Sequence, residues 1–346
     1  MKVLVTGGTG SVGRATVERL VGRGWDVLVI GRRPGLTVPG AAYAACDVTR
    51  LDDLCEKTAG RDAIVHLAAI PEPHTAPAPE VVRVNVMGTV NVFEAAARQG
   101  VRRVVQTSSI NALGCAWSVT DLDHIRYFPI DEAHPTYTTD PYSFSKQVVE
   151  EVGAYYWRRD GISSVALRLP WVHRRDHCES EAYRQRLRQT QALLDEITAM
   201  PPSERAGRLA GVRRQAAAWR AGRPMEYAAR GRAQRAFSAG ADPLLAMAAG
   251  DRFNFWTFVD ERDAAQSVEK GLLAPYAGSH VLFINDSHNW LLYETERLLA
   301  FFFPEVTERR RPLPGASSPV STDRARDLIG FEPEHSVARL LEPRRG

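Results

Sequence analysis

VTGGTGSVG, residues 5–13, is the stretch on which the fold turns. It sets Gly8, Gly10 and Gly13 in G-x-G-x-x-G spacing, with Gly7 a further glycine ahead of them, directly after a short β-branched run and directly before a stretch of helical pattern. The spacing answers a specific need: a tight turn, a backbone close enough to touch a pyrophosphate, and a helix N-terminus whose free N–H groups meet negative charge. Glycine-rich turns are common, but the strand–turn–helix context that confirms this one is present, so the stretch reads as a dinucleotide-binding loop.

Working outward, apolar runs alternate with amphipathic ones. Strands are expected at 2–7, 26–31, 41–46, 62–69, 102–109 and 163–170, with helices between them at 11–24, 79–100 and 140–161. Strand and helix taking turns imply an α/β fold, a doubly wound parallel (Rossmann) sheet covered on both faces. After Pro170 the pattern changes, and 174–250 is rich in alanine and arginine, helix-forming and broken at Pro201–Pro202. The expected organisation is a cofactor-binding domain over 1–173, a helical insertion or lid over 174–250, and a return to the sheet plus a smaller substrate-binding region over 251–346. Ligands in such folds bind beyond the carboxyl ends of the strands.

At that end of the second strand the chain reads VLVIGRRPG, with Arg32 and Arg33 and no acid. An acid there would hold the ribose 2′-hydroxyl of NAD, whereas two guanidiniums suit the 2′-phosphate of NADP. The competing explanation is that arginine is frequent in this chain; NADP is favoured over NAD. Asp47, after the third strand, either accepts a hydrogen bond from an adenine amino group or, with Thr49, caps the next helix.

Tyr142 and Lys146 stand four apart in DPYSFSKQVV, one turn apart on one helical face. Of 44 basic residues only four are lysine, so a lysine here stands out. A neighbouring ammonium is expected to lower the phenol's pKa and make proton exchange with a substrate hydroxyl or carbonyl feasible. A compact ammonium can also hold ribose hydroxyls, which the planar arginine fork does less well.

Composition narrows the classes. A net charge of +3 over 346 residues gives no nucleic-acid signal. Residues 204–240 carry nine arginines against Glu204 and Glu226, which reads as a solvated helical face, with some of them, or Arg309–Arg311, available to an anionic substrate. No run approaches the roughly 18 apolar residues of a membrane span, and the expected location is cytoplasmic. Cys46, Cys55, Cys115 and Cys178 form no framework, and no metal is expected even though His173 and His177 lie i, i+4.

Taken together the motifs resemble the extended short-chain dehydrogenase/reductases, the NAD(P)-dependent epimerase/dehydratase family: the glycine loop, CDVT at Asp47, HLAA at 66–69, NVMGTVNVFEAA from Asn85, TSS at 107–109, PYSFSK, and LRLP ending at Pro170. The resemblance implies Tyr142 as general acid/base, Lys146 as its electrostatic partner and ribose ligand, and Ser109 as the hydroxyl orienting the substrate oxygen, with Ser108 the rival. It implies a cofactor held by Gly7, Thr9, Gly10, Ser11, Val12, Gly13, Arg32, Arg33, Asp47, Val48, Leu67, Ala68, Ala69, Asn85, Thr107, Tyr142, Lys146 and Pro170. It also implies a homodimer through the helices beginning near Pro79 and Pro141.

The reaction is less defined. The family's dehydratases carry Asp-Glu directly after the catalytic hydroxyl residue; Ile110 and Asn111 stand there, which disfavours dehydration. Asn111, Trp171 and His173 are candidate substrate contacts, although Asn111 also suits a loop contact and Trp171 also suits packing under the cap. One reading is oxidation and re-reduction of a sugar or nucleotide-sugar on a tightly held cofactor. The second is NADPH-dependent reduction of a carbonyl on a non-sugar metabolite, and a third, from another class, is a silent NAD(P)-sensing binding protein.

Overall fold

Strands covered on both faces show as unbroken apolar runs, and Val3, Leu4 and Val5 with Val27, Leu28, Val29 and Ile30 are all sealed from solvent. The computed structural model describes residues 1–120 and 124–340. In chain order the strands are β1 (Lys2–Thr6), β2 (Asp26–Gly31), β3 (Ala42–Ala45), β4 (Ala63–His66), β5 (Arg103–Ser109), β6 (Tyr127–Phe128), β7 (Ser163–Leu169), β8 (Trp171–His173), β9 (Phe258–Asp260), β10 (Ser279–Phe283) and β11 (Glu308–Arg309). Seven of them form one parallel sheet in the order β10-β7-β5-β4-β1-β2-β3. The chain winds out to β3, then crosses back to lay β4 on the other side of β1, pairing Val3 with Ala63. That reversal opens a crevice beyond the carboxyl ends of β1 and β4.

Helices α1 (Ser11–Gly22), α2 (Leu51–Thr58), α3 (Ala78–Val82), α4 (Gly88–Arg98) and α5 (Pro141–Asp160) cover the first half of the sheet. The single helix expected over 79–100 is α3 and α4 joined by a π-helical turn, Arg83–Met87, a local widening that often marks functional sites. The strand expected over 62–69 ends at His66. There the Thr6 hydroxyl takes the N–H groups of Leu67 and Ala68 at 3.2 and 3.1 Å, and Gly7 turns away in a left-handed conformation, φ +71°.

The insertion folds as α6 (Arg175–Cys178), α7 (Glu181–Ala199), α8 (Pro202–Ala221), α9 (Tyr227–Gly240) and α10 (Pro243–Ala249). Its ends follow from local chemistry: Ser180, Glu226 and Asp242 cap α7, α9 and α10, and proline starts α8 and α10. It shares a core with later segments, for Tyr183, Leu187, Leu194, Leu209 and Met247 pack in one cluster with Phe253, Trp256, Trp290 and Leu298. Helix α11 (Glu261–Leu273) then returns against α1. Among the described residues no helix is long and apolar enough to cross a membrane.

Candidate active site

The glycine loop closes the amino-terminal end of α1 against β4. A Cβ on Gly7 would stand 2.6 Å from the Ala68 nitrogen, and one on Gly13 only 2.2 Å from the Gly7 oxygen. The tight turn therefore belongs to Gly7 rather than to Gly8, whose Cβ would meet the Val29 side chain. Gly10 is different: its Cβ would find only the Gly7 oxygen, at 3.5 Å, leaving its outer face open. It precedes α1 with no side-chain cap, and no acid occupies the first turn, so the N–H groups of residues 11–13 are available to an anion. Thr9 and Val12 flank this opening half-buried. The Ser11 hydroxyl donates to Glu261 at 2.7 Å, and Glu261 also takes the Arg175 N–H at 3.2 Å. Sequence reasoning missed Glu261, for nothing local links residues 250 positions apart.

At the end of β2, Arg32 and Arg33 are exposed, and no carboxylate pairs with either among the described residues. Tyr43 fixes the turn by donating to the Arg33 carbonyl. Asp47 does not cap α2, whose N-cap is Arg50. Its carboxylate takes both the N–H and the hydroxyl of Thr49 at 2.9 Å. Burial pushes its pKa up, but the Thr49 bonds and the charges of Arg83 and Arg32 outweigh that and hold it below the usual value. Next to it Val48 is buried, its carbonyl taken by Asn91 at 3.0 Å.

A buried polar chain backs the loop Leu67-Ala68-Ala69. The Thr6 hydroxyl, already accepting two N–H groups, donates to His66 Nδ1 at 2.8 Å. His66 Nε2 then donates to Thr89 at 3.1 Å, and Thr89 to the Asn85 carbonyl at 2.7 Å. This ordering requires a neutral ring, and burial with the nearby Lys146 charge lowers the His66 pKa to about 3. Asn85, expected at the cofactor, is turned elsewhere. Its amide clamps both backbone groups of Ile70 and donates to Ser145 at 2.9 Å, so it holds the loop against α5. The demand for two backbone partners at once explains why an amide serves there.

Asp140 and Pro141 begin α5, Asp140 accepting the N–H groups of Tyr142 and Ser143 at 3.0 and 2.9 Å, which sets Tyr142 in the first turn. One turn on, Lys146 Nζ donates to the Thr107 carbonyl at 2.9 Å and lies 5.9 Å from the Tyr142 ring centre. Both side chains are buried. Burial is the dominant influence on both: it pushes Tyr142 up to about 12, against the opposing Ser109 hydrogen bond, and pulls Lys146 down to about 8, against Glu150. The expected lowering of the phenol by the ammonium is not among the influences on Tyr142: burial dominates, and the charges of Asp140 and Glu72 add to it. Ser108 and Ser109 have separate tasks. Ser108 donates to Glu150 at 2.6 Å, and Glu150 is gripped bidentately by Arg168 at 2.8 Å. Ser109 takes the Asn111 N–H at 3.1 Å and is the serine whose hydroxyl opposes the rise of the phenol's pKa. Pro170 follows β7, whose last carbonyl, Leu169, lies 3.5 Å from the Ser109 hydroxyl. The Asn111 side-chain oxygen is buried without a partner, as a substrate contact would be.

The flanking candidates divide. Trp171 is 49% exposed, whereas His173 does not face outward. His173 is buried, stacked on Phe258 and edge-on to His177 and Tyr183, and burial brings its pKa down to about 4. The arginine run is not simply a solvated face. Arg220, Arg223 and Arg230 are buried, and all three donate to carbonyls of the loop that follows Gly114, reaching Cys115, Ala116, Trp117, Ser118 and Thr120. Arg309, Arg310 and Arg311 pair with Glu296, Asp131 and Asp323 rather than standing free for an anion.

This geometry has counterparts. The model of the NAD dependent epimerase/dehydratase family matches residues 3–177. The chain is 35% identical over 177 residues to L-arabinose 1-dehydrogenase (NAD(P)(+)) of Haloferax volcanii, covering 49% of this chain and 67% of that protein. It is 31% identical over 180 residues to a putative UDP-glucose 4-epimerase of Methanocaldococcus jannaschii, covering 49% and 56%, so the match spans little more than half of that relative. Among solved structures, a short-chain dehydrogenase/reductase superfamily protein from Agrobacterium tumefaciens with bound NAD aligns over 99% of this chain and 95% of its own, with a TM-score of 0.61 and 21% identity. MoeE5 in complex with UDP-glucuronic acid and NAD aligns over 97% and 95%, with a TM-score of 0.59 and 19% identity. At those identities the likeness is one of fold.

Proposed function

The chain belongs to the NAD dependent epimerase/dehydratase family, and from that premise we propose that it transfers hydride between a nicotinamide cofactor and a hydroxyl or carbonyl carbon of a sugar or nucleotide-sugar. The observation that carries the reading is the convergence of Tyr142, Ser109 and Lys146 at the carboxyl end of β5. The chain fits the cofactor: a turn in which added Cβ atoms would collide, an uncapped helix start, and two exposed arginines, without a carboxylate partner among the described residues, where a 2′-phosphate would lie. Gly7, Gly10 and Gly13 would hold the pyrophosphate, Arg32 and Arg33 the extra phosphate of NADP, and Lys146 the ribose hydroxyls. When bound, the nicotinamide supplies the hydride acceptor or donor at C4.

Ser109 orients the substrate oxygen and Tyr142 exchanges its proton. With its pKa raised to about 12 the phenol is protonated at neutral pH, which is the form that donates to a carbonyl. In the oxidative direction the phenolate must form, favoured by the Ser109 hydrogen bond and by positive charge brought alongside. A homodimer, implied by the family resemblance, is supported by the exposed apolar Met87, Phe144 and Tyr155 on the π-turn and α5.

The test is to offer aldoses, uronates and nucleotide-sugars with NAD(H) or NADP(H) and follow nicotinamide absorbance. A substrate-dependent change, larger with NADP(H), is expected. Tyr142→Phe should lower it by roughly a hundredfold or more while cofactor still binds. Undiminished turnover by Tyr142→Phe overturns the reading. Interconversion of two sugars on tightly held NAD, with no net change in absorbance, assigns the epimerase arm.

A further inference from the structure

Strands β8 and β9 pair in parallel register, Trp171 with Phe258, Val172 with Val259 and His173 with Asp260. Parallel pairing carries both chains out at the same end. Arg174 and Arg175, the N-cap and first residue of α6, therefore leave beside Glu261 and Arg262, which begin α11. From that place the Glu261 carboxylate reaches two other segments. One oxygen accepts the Arg175 N–H at 3.2 Å, and the other accepts the Ser11 hydroxyl at 2.7 Å. Ser11 is the first residue of α1, directly after Gly10 with its open outer face. The phosphate loop, the start of the insertion and α11 thus meet on a single side chain.

The neighbouring charges are engaged elsewhere. Asp260 takes the Arg262 N–H at 2.9 Å and its guanidinium at 2.8 Å, Arg175 turns its guanidinium to Glu179, and Arg174 turns its own to Asp176. Glu261 makes no ion pair among the described residues, so two neutral donors hold it. Packing does not replace the tie. Ser11 and Arg14 of α1, Arg174 and Arg175 at α6, and Glu261 line a cavity of about 470 Å³. Among the described residues no other hydrogen bond or ion pair links α1 to α6.

We infer that Glu261 is a positioning residue that couples the cofactor loop to the insertion. The inference rests on the cofactor placement proposed above. An anion on the N–H groups of residues 11–13 fixes the first turn of α1. Ser11 then presents a fixed donor, the carboxylate bonded to it presents a fixed acceptor, and Arg175 is set in place with the turn that begins the insertion. Linkage makes the effect reciprocal, so an ordered insertion holds the phosphate loop in its binding form. A carboxylate suits this because it accepts from both segments at once, one oxygen each. It also leaves a negative charge beside the helix end that takes the pyrophosphate, which opposes cofactor binding. An amide keeps both bonds without that charge: its oxygen accepts the Arg175 N–H and its NH2 donates to the Ser11 oxygen. Glu261→Gln therefore separates the bonds from the charge.

The test follows hydrogen exchange of the α6 amides with and without saturating NADPH or NADH, taking α9 as the internal reference, in native protein, Glu261→Ala, Ser11→Ala and Glu261→Gln. In native protein the cofactor should slow α6 exchange by roughly fivefold or more beyond any change in α9. That extra protection should vanish in Glu261→Ala and Ser11→Ala and persist in Glu261→Gln. By reciprocity the cofactor dissociation constant should rise by roughly five- to tenfold in the two alanine variants and stay at or below the native value in Glu261→Gln. The double alanine variant should lose no more than either single one, since either removal already breaks the link. A Glu261 that merely braced the fold would lower the melting temperature of Glu261→Ala and leave the cofactor-dependent protection of α6 intact, which overturns the inference. Glu261→Gln as impaired as Glu261→Ala overturns it equally. Should Glu261→Ala fail to fold, undiminished protection in Ser11→Ala decides against it. Native protein that binds neither NADPH nor NADH would strike the underlying cofactor reading, and the inference with it.

Discussion

Lys146 shows why an arginine-rich chain keeps a lysine at one position. Among the described residues Lys146 Nζ donates to one acceptor, the Thr107 carbonyl, with the Glu150–Arg168 pair one turn further. A guanidinium would bring five donors to it, most of them left unpaired. The buried ammonium is held at about pH 8, below its ordinary 10.5. Between those values the unfolded chain binds the proton and the folded chain does not, so stability rises with pH through that window, and the full penalty of the buried charge is felt below pH 8. Lys146→Met should therefore gain most over the native protein at neutral pH, on the order of 3 kcal/mol from the shift alone, with the gap closing towards pH 10.5. Denaturant titrations across pH read this, and turnover should be lost throughout. A gap independent of pH would mean that the lysine is not buried as a charge.

At the scale of an element, the glycine loop separates fold from binding. Gly13→Ala forces a Cβ against the Gly7 oxygen and should destabilise by about 1–3 kcal/mol as well as weakening cofactor binding. Gly10→Ala places its Cβ at an ordinary 3.5 Å. The poorer helix cap and the stiffer unfolded chain roughly cancel, each about 0.5–1 kcal/mol. That variant should melt near the native temperature yet bind cofactor poorly, as equilibrium binding and thermal melts together would show. Spacing alone made the loop and the Tyr142–Lys146 pair legible, because both are set by near neighbours in the chain. The break of the expected 79–100 helix at Arg83–Met87 was not legible: Asn85 within it bonds Ile70 and Ser145, partners that no local pattern names.

Across the whole molecule, the buried arginines tie the insertion to the site. Arg223 and Arg230 reach the carbonyls of residues 116–118, and Trp117 from that loop packs against the apolar cluster that contains Tyr142. Arg230→Ala should cost on the order of 1–3 kcal/mol, by stranding the Trp117 carbonyl and opening packing. The exposed Arg232, two positions on, should be neutral to alanine within about 0.5 kcal/mol. Chemical denaturation of the two variants separates a brace from a solvated face, and equal effects would return the run to the latter. The sequence by itself determined the doubly wound sheet, the phosphate loop and the tyrosine–lysine spacing, because hydrophobic period, glycine sterics and helical turn length act over a few residues. Only the tertiary structure decided which arginines are buried, that Asn85 and His173 face inward, that burial raises the Tyr142 phenol, and that His74 meets Trp117. Each of these depends on desolvation and contact between segments distant in the chain, and no local pattern carries that.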